Sequence, residues 1–210
     1  MNNQTQDTKW SENVILVDAD YVDKVAFDLT VNFERMIGRQ IPPADLARWI
    51  DCVALDGGMR PKEQGAGSGE QETQVVLIHS KEKRQMDNFS PSNFADELTG
   101  KAFKDHLGEF TFEAYLAEED IVSLSDFLVD ALREIVARKE VRRIMVIPNA
   151  DDEQIYNKVR EVLRQVDDDE KRITVFAMQP MPGGNIRQEI LGYSLMAALG
   201  INSNELNTAE

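Results

Sequence analysis

The side chains best suited to chemistry in this chain are aspartates at the ends of apolar runs. "VILVDADYVD" carries Val14–Val17 straight into Asp18-Ala-Asp20. "SDFLVDAL" places Asp126 and Asp130 one helical turn apart, and "VIPNADDE" leads from a second apolar run to Asp151-Asp152. In open α/β sheets ligands lie beyond the carboxyl ends of the strands, so acids at such ends are placed to meet in one cleft if the first and fourth strands are neighbours. Three or four carboxylates there repel one another unless a divalent cation neutralises them. An all-oxygen ligand set selects Mg²⁺ or Mn²⁺ without help from His79 or His106. Such an ion activates water and stabilises phosphoryl transfer. The competing role is local, because an aspartate at a helix start accepts a hydrogen bond from a free backbone N–H. Asp126 after "SLS" and Asp151 before "EQIY" suit that role well. Ser194 and Cys52 have no histidine partner in pattern and are not nucleophiles.

The elements that must position these acids alternate. Short β-branched runs occur at Val14–Val17, Val75–Ile78, Ile144–Ile147 and Ile173–Met178, and "EFTFEAYL" (109–116) alternates apolar with polar. Runs of this kind, bounded by acids or turn residues, suit strands covered on both faces. Between them the apolar period is helical. Helices are expected from Tyr21 to Ile37, after the prolines at 42–43 as far as Gly57-Gly58, and from about Ser92 with Phe94, Leu98, Ala102 and Phe103 aligned. Three more are expected across "SLSDFLVDALREIVARKE", across "DDEQIYNKVREVLRQV", and from Asn185 to Gly200. Strands alternating with helices predict a three-layer α/β/α Rossmann-like sandwich on a mainly parallel sheet of about five strands.

The expected organisation is a polar tail (1–12), a single α/β domain (13–201) with a flexible loop at 57–73, and a C-terminal tail (202–210). The 210 residues are 42% hydrophobic and 29% charged, a globular composition with a sizeable core. No apolar run reaches the length of a membrane span, the N-terminus has no apolar signal region, and one cysteine excludes a disulfide framework. These features predict a cytoplasmic protein with no membrane association. The net charge of −15 repels phosphate backbones, so RNA would be reached only through a local metal site. "QPMPGGNIRQE" offers Gly183-Gly184 ahead of a helix start as an anion-binding turn. The apolar C-terminal helix is a candidate homodimer face.

The order of elements and several motifs resemble the NYN branch of the PIN-like nucleases. Those proteins open with a hydrophobic strand ending in Asp, followed at once by a helix, as "ILVDADYV" does. "IPPADLARWIDCVAL" echoes their second helix, and "SDFLVDAL" matches, at Asp126 and Asp130, a helix that begins with Asp and carries another four residues on. Their next strand ends in Ser-Gly-Asp-Ser-Asp; here "PNADD" keeps Asp152, with Asp151 beside it, and lacks the serine and glycine. The resemblance spans residues 13–180. It implies a PIN/NYN-like fold and a metal-dependent ribonuclease, with Asp18, Asp126 and Asp152 as Mg²⁺ or Mn²⁺ ligands and Asp20 assisting. A non-catalytic binding or regulatory module on the same fold is the alternative. A second alternative is similarity to the haloacid-dehalogenase-like phosphatases, in which Asp18 would be the nucleophile and Asp20 the acid/base, with Ser80, Lys139 and Asp151-Asp152 matching later motifs. That group inserts a flap hairpin after its first motif, where the period from Tyr21 to Ile37 predicts one continuous helix.

Overall fold

A computed structural model describes residues 9–61, 71–118, 122–166, 170–182 and 186–206. Its centre is β1 (Asn13–Asp18), whose every residue is buried. Val14 to Val17 are fully enclosed, and burying each such side chain contributes about 1.5–3 kcal/mol. Alternation sends Ile15 and Val17 into one core and Val14 and Leu16 into the other. That division explains why the run is continuous rather than alternating in hydrophobicity.

β1 pairs in parallel with β3 (Glu72–Ser80) on one side and with β7 (Arg143–Ile147) on the other. Beyond β3 lie β6 (Gly108–Ala117), parallel, and β5 (Ala102–Asp105), antiparallel; beyond β7 lie β8 (Arg172–Ala177) and β9 (Arg187–Ile190), both parallel. The sheet order is therefore β5-β6-β3-β1-β7-β8-β9, with the direction of winding reversing between β1 and β7. A separate two-stranded ladder joins β2 (Ala44–Asp45) to β4 (Phe89–Ser90).

One face of the large sheet is covered by α1 (Ala19–Ile37), α2 (Leu46–Asp56) and α5 (Leu191–Ala198). The other is covered by α3 (Leu124–Ala137) and α4 (Glu153–Leu163). The fold is thus mixed α/β, with a mostly parallel central sheet flanked by helices on both faces. α1 follows β1 without a break and runs to Gly38, whose left-handed φ of 69° closes it; no hairpin intervenes after Asp20. Among the described residues no helix is long and apolar enough to cross a membrane.

Three expectations change. The helix foreseen from Ser92 is a single wide turn, Phe94–Leu98, followed by the strand β5. Phe94 and Leu98 lie one turn apart and are buried, as the pattern required, but the chain then turns at Gly100. Phe103 reaches the core by stacking on Phe110, 4.8 Å between ring centres. The last helix begins at Leu191 rather than Asn185, and Arg187–Ile190 is an edge strand. Asn185 and Gly183-Gly184 lie outside the described residues. These edges raise the strand number from about five to seven, because short, polar edge strands carry no apolar run to betray them.

Residues at the inner ends of both expected tails make contacts with the fold. Trp10 packs against the α3–α4 core, and Glu12 O accepts from the Arg142 and Arg143 amides. After α5, α6 (Ser203–Leu206) is pinned where Glu205 accepts from Arg39, 2.7 Å from Nε and 3.0 Å from Nη2. Of the expected 57–73 loop, Met59 is buried and Glu72 already belongs to β3; residues 62–70 lie outside the described set.

Candidate functional site

The reversal between β1 and β7 opens a crevice at their carboxyl ends, the usual ligand position in such sheets. A cleft of about 590 Å³ lies there, lined by Tyr21, Lys24, Asn149, Asp151, Asp152, Glu153 and Gln154. Asp18 ends β1 at its inner side and Asn149 follows β7. The first and fourth long strands are neighbours, so Asp18 and Asp20, at the junction of β1 and α1, lie at the same edge of the sheet as Asp151 and Asp152, which line the cleft itself.

Asp18 is only 4% exposed. Its Oδ1 accepts from the Tyr21 amide at 2.9 Å, capping α1. No cationic side chain pairs with it among the described residues. Burial pushes its pKa up to about 7; the Tyr21 amide opposes that rise and the charge of Asp20 adds to it. Asp20 stands in the first turn of α1, and its carboxylate accepts from the Ser80 amide through long contacts of 3.3 and 3.4 Å. It thereby ties the start of α1 to the end of β3. Tyr21 is 6% exposed and its hydroxyl has no hydrogen bond of normal geometry. Burial raises the phenol pKa, and the nearby charge of Asp151 raises it further. Hydrogen bonding to Asp151 contributes to that rise as well, so the Asp151 carboxylate is the acceptor nearest to hand for this hydroxyl at the wall of the cleft.

One turn further along α1, Asp23 shows what a compensated buried acid looks like. Its Oδ2 takes the Lys83 ammonium at 2.8 Å and its Oδ1 takes the Asn88 amide at 2.8 Å. Asp18 has the amide of Tyr21 but, among the described residues, no cation.

Asp126 and Asp152 are placed differently. Asp152 is the N-cap of α4 and accepts from the Gln154 amide at 2.8 Å, on the rim of the cleft. Asp126 lies half-exposed on α3, its Oδ1 accepting from Lys158 at 2.6 Å and its Oδ2 from the Ser123 hydroxyl at 2.9 Å. Those two donors hold its carboxyl below the usual range. Asp130, one turn on, pairs with Arg133. Asp18, Asp126 and Asp152 do not meet in one coordination sphere. Among the described residues, the one set of three acid, histidine or cysteine side chains whose ligand atoms lie within 4.8 Å of one another is Asp51, Asp105 and His106. The trio expected from the sequence is therefore reduced at Asp126, whose charge Lys158 already neutralises.

Sequence reasoning passed over Tyr21, Lys24 and Asn149, because a helix-start tyrosine and a post-proline asparagine are ordinary in themselves. It also passed over the set on α2 and the β5–β6 turn. There burial and hydrogen bonding with Asp105 push Asp51 up to about 6, and His106 Nδ1 lies 3.8 Å from Asp51 Oδ1. No sequence signal joins residue 51 to a turn that reads as helix.

A protein-family model described as a family of unknown function (DUF6621) matches residues 7–206. No curated protein and no solved structure matches the chain.

Proposed function

We propose that this chain, which belongs to that family of unknown function, is a phosphodiester hydrolase of PIN/NYN-like type working at the β1–β7 cleft, with RNA as the substrate class. The observation that carries this reading is Asp18: a carboxyl buried at the reversal point of the sheet, beside Asp20, with no counter-charge. A buried, unpaired carboxylate must take up either a proton or a cation.

Both fit the chemistry. A group with a pKa near 7 can pass a proton in either direction at neutral pH, and Asp18 is held rigidly by its capping bond to Tyr21 N. A hydrated Mg²⁺ or Mn²⁺ needs only one or two carboxylates from the protein, and Asp18 and Asp20 are the pair that would hold it, with Asp152 at the rim. Bound there, the ion would polarise a phosphoryl oxygen. Tyr21 and Asn149 offer hydrogen bonds to a substrate's oxygens, and Lys24 stands at the mouth as a cation, although it also pairs with Asp28 at 2.8 Å. The uninterrupted start of α1 weighs against a haloacid-dehalogenase-like enzyme, which needs a flap at that place.

The test is a melt titrated with millimolar Mg²⁺ and Mn²⁺, run beside hydrolysis of an RNA oligonucleotide, for wild type and Asp18→Asn. Wild type should gain melting temperature with metal. Asp18→Asn should melt higher without metal, show no gain with it, and lose hydrolysis. Indifference of wild type to both cations would sink the metal site. Metal binding without hydrolysis would leave the non-catalytic module.

A further inference from the structure

At the opposite end of β7 the charge reverses. Arg143, Arg172 and Arg187 are the first residues of β7, β8 and β9, so three adjacent parallel strands each open with an arginine. Arg143 and Arg172 are direct partners in the register, and Arg187 lies opposite Thr174. Strand alternation puts all three on the face covered by α2, the same side as Met145 and Phe176. Like charges directly opposite one another destabilise a sheet. Here they surround a cavity of about 280 Å³ whose lining includes Arg143, Lys171, Arg172 and Arg187 and no carboxylate.

The guanidinium groups of Arg143 and Arg187 close on one point. A Cβ on Gly58, whose φ is +85°, would lie 3.1 Å from Nη1 of each. Burial, together with the charges of Arg172 and Arg187, lowers the pKa of Arg143.

Helix capping accounts for part of this. Arg60, Arg143 and Arg187 donate to the carbonyls of Leu55 (2.9 Å), Gly57 (2.6 Å) and Asp56 (2.7 Å) at the end of α2, where the helix dipole favours cations. Glu189 also takes Arg187 at 3.0 Å, Glu12 acts on Arg143, and the Asp56 carboxyl feels both Arg60 and Arg187. Lys171 is spent on the carbonyls of Arg138 and Val141. Capping makes no use of Arg172. Among the described residues its guanidinium has no hydrogen-bond or ion-pair partner, so it adds charge to a repulsive cluster and gains no contact there.

We propose that this pocket binds a small, multiply charged oxyanion of the phosphate class, held by Arg143, Arg172 and Arg187. The guanidinium fork matches a phosphate's oxygens and supplies charge that never titrates away. The cavity is close to the lower end of small-molecule sites. A long polyanion is disfavoured by the net charge of −15 on the rest of the chain, which repels nucleic-acid backbones. Free phosphate and the phosphate group of a small metabolite share this chemistry.

The experiment is a melt of the full chain in sodium phosphate against sodium chloride at equal ionic strength, with a sugar phosphate as a second ligand. Wild type should show a saturable rise with phosphate and none with chloride. Arg172→Gln breaks no hydrogen bond, so it should fold and melt at the wild-type temperature or above without ligand. It should bind phosphate roughly tenfold or more weakly, as expected for loss of a charged hydrogen bond. Asp18→Asn should keep the phosphate response, so failure here and failure of the β1–β7 cleft are read separately. Tighter binding of the sugar phosphate assigns a metabolite, and tighter binding of inorganic phosphate assigns the free ion. Equal melting in phosphate and chloride, an unaltered response in Arg172→Gln, or preference for an RNA oligonucleotide over both small ligands would overturn the proposal.

Discussion

Strand β7 begins among arginines and leads, just past its end, into aspartates. At its start Arg143 meets Arg172 and Arg187 beside the C-terminus of α2; beyond its end Asn149, Asp151 and Asp152 share a cleft with Tyr21, beside the N-terminus of α4 and close to Asp18 at the start of α1. Much of this contrast follows from helix dipoles, since acids belong at helix N-termini and bases at C-termini. Capping explains Asp152, and it explains the contacts that Arg143 and Arg187 make with α2. At each end one charge goes without an opposite charge among the described residues. Among the described residues Asp18 caps α1 while buried with no counter-charge, and the exposed Arg172 guanidinium has no hydrogen-bond or ion-pair partner. Charge that no opposite charge answers is the charge most available to a ligand.

Four substitutions test this contrast. The largest effect is expected at Asp18. Its folded pKa of about 7 lies above the ordinary unfolded value, so the native state binds the proton more tightly. Below about pH 4 both states are protonated and nothing is lost; as pH rises toward 7 the native state alone resists ionisation and stability falls. The full penalty, about 4 kcal/mol at most from a shift of roughly three units, is present above pH 7. Asp18→Asn keeps an oxygen for the Tyr21 amide, and should be more stable than wild type at pH 8, equal to it near pH 3, and free of this slope between. Urea unfolding across that range measures it, and a parallel slope in both proteins would show that Asp18 is compensated after all.

Asp23→Ala sharpens the comparison from the satisfied side. Removing Asp23 leaves Lys83 and the Asn88 amide without their partner, and should cost about 3 kcal/mol. Chemical denaturation at pH 7 checks this opposite sign for a carboxylate one turn from Asp18. At the other end of β7, Gly58→Ala forces a side chain into left-handed backbone and against two guanidinium groups. A loss of about 1–2 kcal/mol, with a weaker phosphate response, is the expected reading of its melts. The smallest change belongs to Asp126→Ala. Its ion pair with Lys158 is solvent-exposed and such pairs contribute little, so melting and the response to Mg²⁺ or Mn²⁺ should both stay at wild-type values. A lost metal response in that variant would restore Asp126 to the site.

The elements legible in the sequence were those with long, one-sided or two-sided apolar patterns. β1, β3, β7 and β8 announced themselves as buried runs, and α1 and α3 by their stripes. β5 and β9 did not, because Lys104 and Asp105 in one and Arg187 to Glu189 in the other are polar edge residues whose pairing comes from backbone hydrogen bonds. Of the site, Asp18 and Asp20 were legible because they interrupt an apolar run at its end. The separation of Asp126 from them was not, since a match in spacing says nothing of which way a helix face turns or that Lys158 on α4 reaches across to it.

By itself the sequence determined the layering. A strand hydrophobic on both faces must be sandwiched between helices, and acids that follow such strands must fall at their carboxyl ends. Only the tertiary structure decided which charges are answered. It gave Asp23 a lysine and an amide, gave Asp126 a lysine, and gave the buried Asp18 an amide but, among the described residues, no cation. It also aligned arginines far apart in the chain at the openings of three neighbouring strands. The physical reason is that burial and charge pairing depend on distances across the fold, whereas the hydrophobic period is written along the chain.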